Sequence, residues 1–286
     1  MESYYLIVTY VLTALIGLAV GSFLNVVIYR VPRDMSIATP SSHCPSCGYR
    51  LRAYDNIPVL SYLILGGKCR KCKTHISFRY TMVELANTLL WLLSVYLFWD
   101  RSIVYAIVCA LVSSVFLCIF FIDLENGIIP DRFQLMLIAL GAVATHFDPD
   151  FEWYSHLIGG AVGFLSFLLI ARVFEKVCGV TGLGDGDIKL AGTAGLLLGW
   201  ERLIFAILVA TLPFAIILLI MRLFRISPNR EGKNDPMAAL REECEEGEIP
   251  EGAFPFAPML VSGFAVALFF GTAVLRWYLS LLGVVL

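Results

Sequence analysis

Leu190-Ala191-Gly192-Thr193-Ala194-Gly195-Leu196-Leu197-Leu198-Gly199-Trp200 is an apolar run of eleven residues, and whether it crosses a membrane decides the topology of the chain. A bilayer span needs about 20 predominantly apolar residues, so length alone reads this run as a re-entrant or buried core piece. Its glycines and alanines argue for a span, because small residues let membrane helices bring their backbones together. The charges on either side of it settle the choice.

Outward from this run the chain holds seven longer apolar segments, at residues 4–29, 80–98, 102–122, 133–147, 156–174, 202–223 and 254–286. With 59% hydrophobic and 15% charged residues and a mean hydropathy of +0.80, the 286-residue chain is too apolar for an ordinary soluble domain. If all eight segments alternate sides, loops 30–79, 123–132, 172–189 and 222–251 share one side and carry 18 of the 21 Lys and Arg residues. Only Arg101, Arg202 and Arg276 fall elsewhere. Positive loops stay in the cytoplasm, so the crowded side is cytoplasmic and both termini face outward. Removing the short run would strand the basic loop after residue 222 outside. The sequence therefore predicts an all-α polytopic membrane protein of about eight transmembrane helices.

Met1-Glu2 offers no basic leader region and the first apolar run has no small-residue cleavage site, so it reads as a retained span. The net charge of -2 says nothing about nucleic acid, but no basic patch has the aromatic interleaving of a binder, so that class is set aside.

Loop 30–79 carries nine basic residues against Asp34 and Asp55, and four of the eight cysteines. Cys44-Pro45-Ser46-Cys47 and Cys69-Arg70-Lys71-Cys72 form two CxxC pairs with 21 residues between them, just beyond the usual zinc spacing. Two such turns complete a closed tetrahedral four-thiolate shell, which is a structural zinc site. The loop has little apolar material, so a metal would supply its folding energy. Disulfides do not suit a cytoplasmic loop. His43 and His75 flank the knuckles and read as solvated, while Cys109, Cys118, Cys178 and Cys244 receive no chemistry.

Ionisable groups at the ends of spans are costly and raise a functional hypothesis. Glu84 lies early in the second span, Asp123 ends the third, and Asp187 follows Gly182-Leu183-Gly184-Asp185-Gly186. In the eight-span topology Asp123 and Asp187 reach the same depth on the same side, though 64 positions separate them. Two carboxylates sharing a site hold one proton between them. The ionised one can deprotonate water while the protonated one donates to a scissile carbonyl, which is aspartic protease chemistry. Glycines beside Asp187 leave room for a substrate backbone. Asp131, after Pro130, reads as a helix cap.

Gly182-Leu183-Gly184-Asp185-Gly186-Asp187-Ile188-Lys189-Leu190 resembles the signature of the type IV prepilin leader peptidases, a family of Gly-x-Gly-Asp membrane aspartic proteases. Three further segments agree: Gly21-Ser22-Phe23-Leu24-Asn25 through Pro32, the CxxC pairs around Tyr54-Asp55-Asn56-Ile57-Pro58, and Phe121-Ile122-Asp123 through Pro130-Asp131. The resemblance implies removal of the short basic leader of prepilins or pseudopilins, cut after a glycine on the cytoplasmic face of a bacterial inner membrane. It also implies N-methylation of the new terminus with S-adenosylmethionine, for which no nucleotide-cradling glycine turn appears in the sequence. The family's catalytic aspartate precedes a lysine by two positions, which selects Asp187 over its rival Asp185 through Lys189. That lysine either counters the dyad's charge or snorkels to the interface.

Three regions follow: residues 1–29 as the first helix, 30–79 as the zinc-binding loop domain and methyltransferase region, and 80–286 as the protease core. Within the core, segment 223–252 holds eight acidic residues against four basic and reads as a solvated loop that attracts a basic leader. Two other readings compete: a peptidase whose zinc loop is purely structural, and a non-enzymatic membrane carrier or scaffold with an acid pair.

Overall fold

The computed structural model describes residues 2–178, 183–223 and 256–283. Its helices are α1 (Glu2–Arg30), the short α2 (Leu60–Ile64), α3 (Arg79–Phe98), α4 (Ile103–Asn126), α5 (Asp131–Phe147), α6 (Trp153–Cys178), α7 (Asp185–Leu223) and α8 (Ala257–Leu281). No strand occurs among the described residues, so the all-α expectation holds. Six helical segments there are long and apolar enough to cross a membrane. Of the two other predicted spans, α5 is a 17-residue helix, and run 190–200 forms the first part of α7 up to a break at Gly199 (φ 77°, ψ 161°). The acidic segment predicted at 223–252 lies, beyond its first residue, outside the described residues.

The chain divides into two compact units, Met1–Pro149 and Asp150–Leu286. In the first, α1 meets α3 at glycines. A Cβ on Gly21 would lie 2.7 Å from Glu84 Cα, and one on Gly17 would lie 3.0 Å from Thr88 Cα. Such close approach exposes backbone oxygens, and side chains use them. Asn87 donates to the Gly17 carbonyl at 2.8 Å and accepts from Ser114 at 2.7 Å, and Ser114 accepts from Trp91 Nε1 at 2.9 Å. Asn25 donates to the Tyr80 carbonyl at 3.0 Å. In hydrocarbon, where apolar burial does not drive association, this packing and bonding join α1, α3 and α4.

Helix α4 begins at Ser102, whose side chain caps the Tyr105 amide, and stops at Gly127, whose left-handed backbone (φ 64°) ends the helix. Val112, Ile119 and Ile122 on α4 are fully buried, which places this helix inside its unit.

The second unit is a backbone-to-backbone pairing of α6 with the start of α7. A Cβ on Gly195 would lie 2.1 Å from the Gly159 oxygen, and one on Gly163 would lie 2.3 Å from the Ala191 oxygen. Gly159 and Gly163 on one helix, with Ala191 and Gly195 on the other, are small residues at four-residue spacing, the arrangement membrane helices use for contact. Helix α8 reaches α7 the same way, with Gly263 against the Ala206 oxygen. Below the break at Gly199, the buried Arg202 donates to the Leu198 carbonyl at 2.6 Å and lies over the Phe151 ring.

Candidate active site and metal centre

The two CxxC segments build nearly identical knuckles. In the first, the Cys44 amide donates to the Tyr49 carbonyl and the Gly48 amide to the Cys44 carbonyl. In the second, the Cys69 amide donates to Thr74 and the Lys73 amide to Cys69. Each knuckle turns through a left-handed residue, Gly48 (φ 68°) in one and Lys73 (φ 60°) in the other. Isolated bridges, His43 with Arg50 and Lys68 with His75, close both loops. The flanking histidines are exposed, as expected of solvated residues.

The four sulfurs converge within 4.8 Å of one another. Cys44 Sγ lies 3.8 Å from Cys72 Sγ, and Cys47 Sγ lies 4.0 Å from Cys69 Sγ. A tetrahedral ion with metal–sulfur distances of about 2.3 Å needs sulfur–sulfur edges of about 3.8 Å. The thiols therefore stand where one such ion would need them. Hydrogen bonding with Thr74, through its side chain and then its backbone, draws the Cys72 thiol down to about 6. At Cys47 the Tyr49 amide also favours the thiolate, but burial and the three neighbouring sulfurs push that thiol up to about 11.

Asp55 ties the knuckles together. Its buried carboxylate accepts from Tyr49 behind the first knuckle (3.1 Å), from the Arg52 amide (3.3 Å), and from Arg70 Nε within the second (2.6 Å). Burial alone would raise this carboxyl, but the hydrogen bonds from Arg70, the Arg52 amide and Tyr49 outweigh it and hold it below the usual carboxylate range.

Asp123 lies in the last turn of α4, its carbonyl accepting the Gly127 amide at 2.8 Å, and it is buried. Asp187 sits in the first turn of α7, its amide bonded to the Gly184 carbonyl at 3.0 Å. Its neighbour Ile188 is buried, Asp187 is half-buried and Asp185 is exposed. One oxygen of each candidate acid, Oδ2 of Asp123 and Oδ1 of Asp187, is closed off from solvent. Gly184 lies against the Asp187 carboxylate, since a Cβ there would come within 3.4 Å of Oδ2. Lys189 is exposed. Asp131 is the first residue of α5, just inside the cap position, which Pro130 holds; its charge suits the helix dipole there.

Asp123 belongs to the first compact unit and Asp187 to the second. The four cysteines form a single cluster within the first.

Glu84 has a role that sequence reasoning did not assign. It accepts the Val59 amide at 2.7 Å, which fastens the loop domain to α3. The signal was an acid inside a span; its partner is a loop amide, and no sequence pattern marks that.

Two family models match the chain: the bacterial peptidase A24 N-terminal domain over residues 15–98 and the type IV leader peptidase family over residues 109–219. A prepilin leader peptidase/N-methyltransferase of Pseudomonas aeruginosa is 34% identical over 95% of this chain and 93% of its own length. The chain belongs to the type IV leader peptidase family. A protein of the same name from Myxococcus xanthus is 40% identical over 78% of this chain and 67% of its own length. Another, from Neisseria gonorrhoeae, is 35% identical over 74% and 82%. No solved structure matches. Asp123 and Asp187 fall within the stretch matched by the leader peptidase model, and all four cysteines fall within the N-terminal domain match.

Proposed function

We propose that this chain is a membrane aspartic endopeptidase with Asp123 and Asp187 as its catalytic pair. It removes the short basic leader of type IV prepilins or pseudopilins after a glycine on the cytoplasmic side, and N-methylates the new terminus with S-adenosylmethionine. The observation that carries this reading is the likeness to prepilin leader peptidase/N-methyltransferases over nearly the whole chain, which leaves the catalytic residues to be chosen by chemistry. Asp123 is buried and Asp187 half-buried, while Asp185 is exposed. Asp123 and Asp187 each have a carboxylate oxygen closed off from solvent, which favours them over the exposed Asp185.

In the cleavage step the ionised carboxylate takes a proton from water, which attacks the scissile carbonyl as the protonated carboxyl donates to the carbonyl oxygen. Gly184 leaves space for the substrate backbone beside Asp187. Zinc suits the thiol cluster, since a divalent ion would stabilise all four sulfurs as thiolates at spacings close to those present. In this reading eight spans place both acids and the loop domain in the cytoplasm with both termini outside, and the enzyme sits in a bacterial inner membrane. The acidic segment 223–252 draws in the basic leader.

The test is cleavage of a prepilin by the purified chain and by single Asn variants. Asp123→Asn and Asp187→Asn should each lower the rate by about 10³-fold or more, and Asp185→Asn by no more than severalfold. Full activity in either of the first two removes that residue from the pair. The mass of the mature terminus reports methylation separately.

A further inference from the structure

Helix α3 fixes where the bilayer begins beside the loop domain. Its 20 residues extend about 30 Å, the full thickness of the hydrocarbon. Asp100 and Arg101 follow it closely at one end and Arg79 opens the other. The span therefore has no residues to spare, and Arg79 marks the hydrocarbon edge. Helix α1 runs antiparallel beside it, with Gly21 level with Glu84 and Asn25 level with Tyr80. Continuing to Arg30, α1 rises about 7 Å past that edge before the loop domain begins.

The chain then comes back down. Glu84 stands about 7 Å below Arg79 along α3, and its carboxylate holds the Val59 amide at 2.7 Å. A glutamate side chain leans toward the N-terminus of its helix by less than that depth, so Val59 lies on the hydrocarbon side of Arg79. Tyr62 of α2 meets the ring of Phe78, the residue just before α3, with centroids 6.0 Å apart. Two contacts thus hold α2 at the hydrocarbon edge.

There α2 turns an apolar face outward. Leu60, Leu63 and Ile64, neighbours at helical spacing, are exposed, the last two by 66% and 70%, and Ile57 just before them is exposed as well. The second knuckle hangs on the same segment: the Gly67 amide donates to the Tyr62 carbonyl at 2.9 Å, and the Ile76 amide to the Gly67 carbonyl at 2.7 Å. Its Lys68, Lys71 and Lys73 are exposed, which complements anionic headgroups.

We infer that residues 57–64 enter the lipid leaflet beside α3, the cytoplasmic one in the topology proposed above, and that Lys68 and Lys71 rest on anionic phospholipid headgroups. Short apolar faces bordered by bases settle at the boundary of headgroup and acyl chain. That basic border favours lipid over a second copy of the chain, which would bring like charge to like. The thiol cluster is thereby set at a fixed height above the bilayer, and the loop domain is seated on the membrane instead of hanging free in water.

An environment-sensitive fluorescent amino acid encoded at the exposed Ile64 reads the depth in nanodiscs of the full chain. Its emission should shift to the blue, and a nitroxide on the upper acyl chain should quench it while aqueous iodide does not. Quenching by iodide alone overturns the insertion. Shielding from both quenchers assigns the face to protein and overturns it as well. Lys68→Glu combined with Lys71→Glu should lower the excess of phosphatidylglycerol over phosphatidylcholine retained by the chain about tenfold, read by native mass spectrometry. Raised salt should lower it without any substitution. A ratio that neither change moves overturns the headgroup contact.

Discussion

The loop domain between α1 and α3 is held by a few strong interactions among polar side chains, whereas α6 and α7 are held by the lack of side chains where they touch. Neither region can use ordinary hydrophobic burial: the loop has too little apolar material, and helices in lipid gain nothing by exchanging one apolar neighbour for another. The loop answers with four convergent sulfurs and a buried aspartate; the helices answer with glycines that bring the backbones together. A ligand-built region should therefore fail all at once when its centre is lost, and a packing-built region should fail in proportion to added volume.

The largest effect should come from withholding the metal proposed for the thiol cluster. Structural zinc contributes on the order of 10 kcal/mol to small knuckles, so chelation or Cys69→Ala should unfold the loop domain while leaving α6 and α7 helical. Limited proteolysis confined to residues 30–79 is the expected readout. Digestion spreading into α6 would break the comparison.

Next in size is Gly195→Leu, whose first added carbon would meet the Gly159 oxygen at 2.1 Å. Overpacking of that kind costs about 3 kcal/mol or more. Gly160→Ala on the facing helix, with its nearest neighbour at 3.5 Å, should be close to neutral. Thermal unfolding of both variants in detergent checks the contrast, and equal midpoints would remove close packing as the cause.

Asp55→Asn should cost about 2 kcal/mol in the loop domain, since it removes a buried charged acceptor of three hydrogen bonds. The folded-state carboxyl is held below its ordinary value. Its contribution is therefore complete above the unfolded pKa near 4 and is lost as pH falls through the folded value. The stability gap between wild type and Asp55→Asn should be flat from about pH 8 to 5 and shrink below about 4. A gap that widens on acidification would contradict this account. Comparing the two proteins at each pH cancels the titration of the cysteines they share.

The smallest effect tests the likeness of the two knuckles. Lys73 carries the left-handed turn that Gly48 makes freely, so Lys73→Gly should strengthen metal retention and Gly48→Ala should weaken it. Each change amounts to about 1 kcal/mol or less. No neighbour lies within 4 Å of a Cβ on Gly48, so the second effect is purely one of backbone conformation. Competition with a chelator measures both.

Much of this was legible in the residues. Long apolar runs announced the helices, because a span must satisfy its backbone internally and present apolar side chains to lipid. The CxxC pairs announced a metal cluster, because that turn brings two thiols to one point. Family resemblance, through the lysine two positions on, singled out Asp187, which is half-buried beside an exposed Asp185. Less visible were interactions between a side chain and a distant backbone. Glu84 with the Val59 amide, Asn87 with the Gly17 carbonyl, and Arg30 with two loop carbonyls join groups that no periodicity links, since a backbone amide looks the same in every residue.

By itself the sequence determined the class of protein and the approximate helices, which follow from composition and spacing, and it marked the four cysteines as candidate metal ligands and the acids as candidates, with the choice of Asp187 resting on family resemblance. Tertiary structure alone decided that the four sulfurs stand near tetrahedral distances, that Asp55 spans both knuckles, that run 190–200 is pressed against α6 and broken at Gly199, and that the residue before α2 is bonded to Glu84 of α3. Those facts depend on which surfaces meet at distances of a few ångströms, and a linear order of residues does not contain them until the chain has packed.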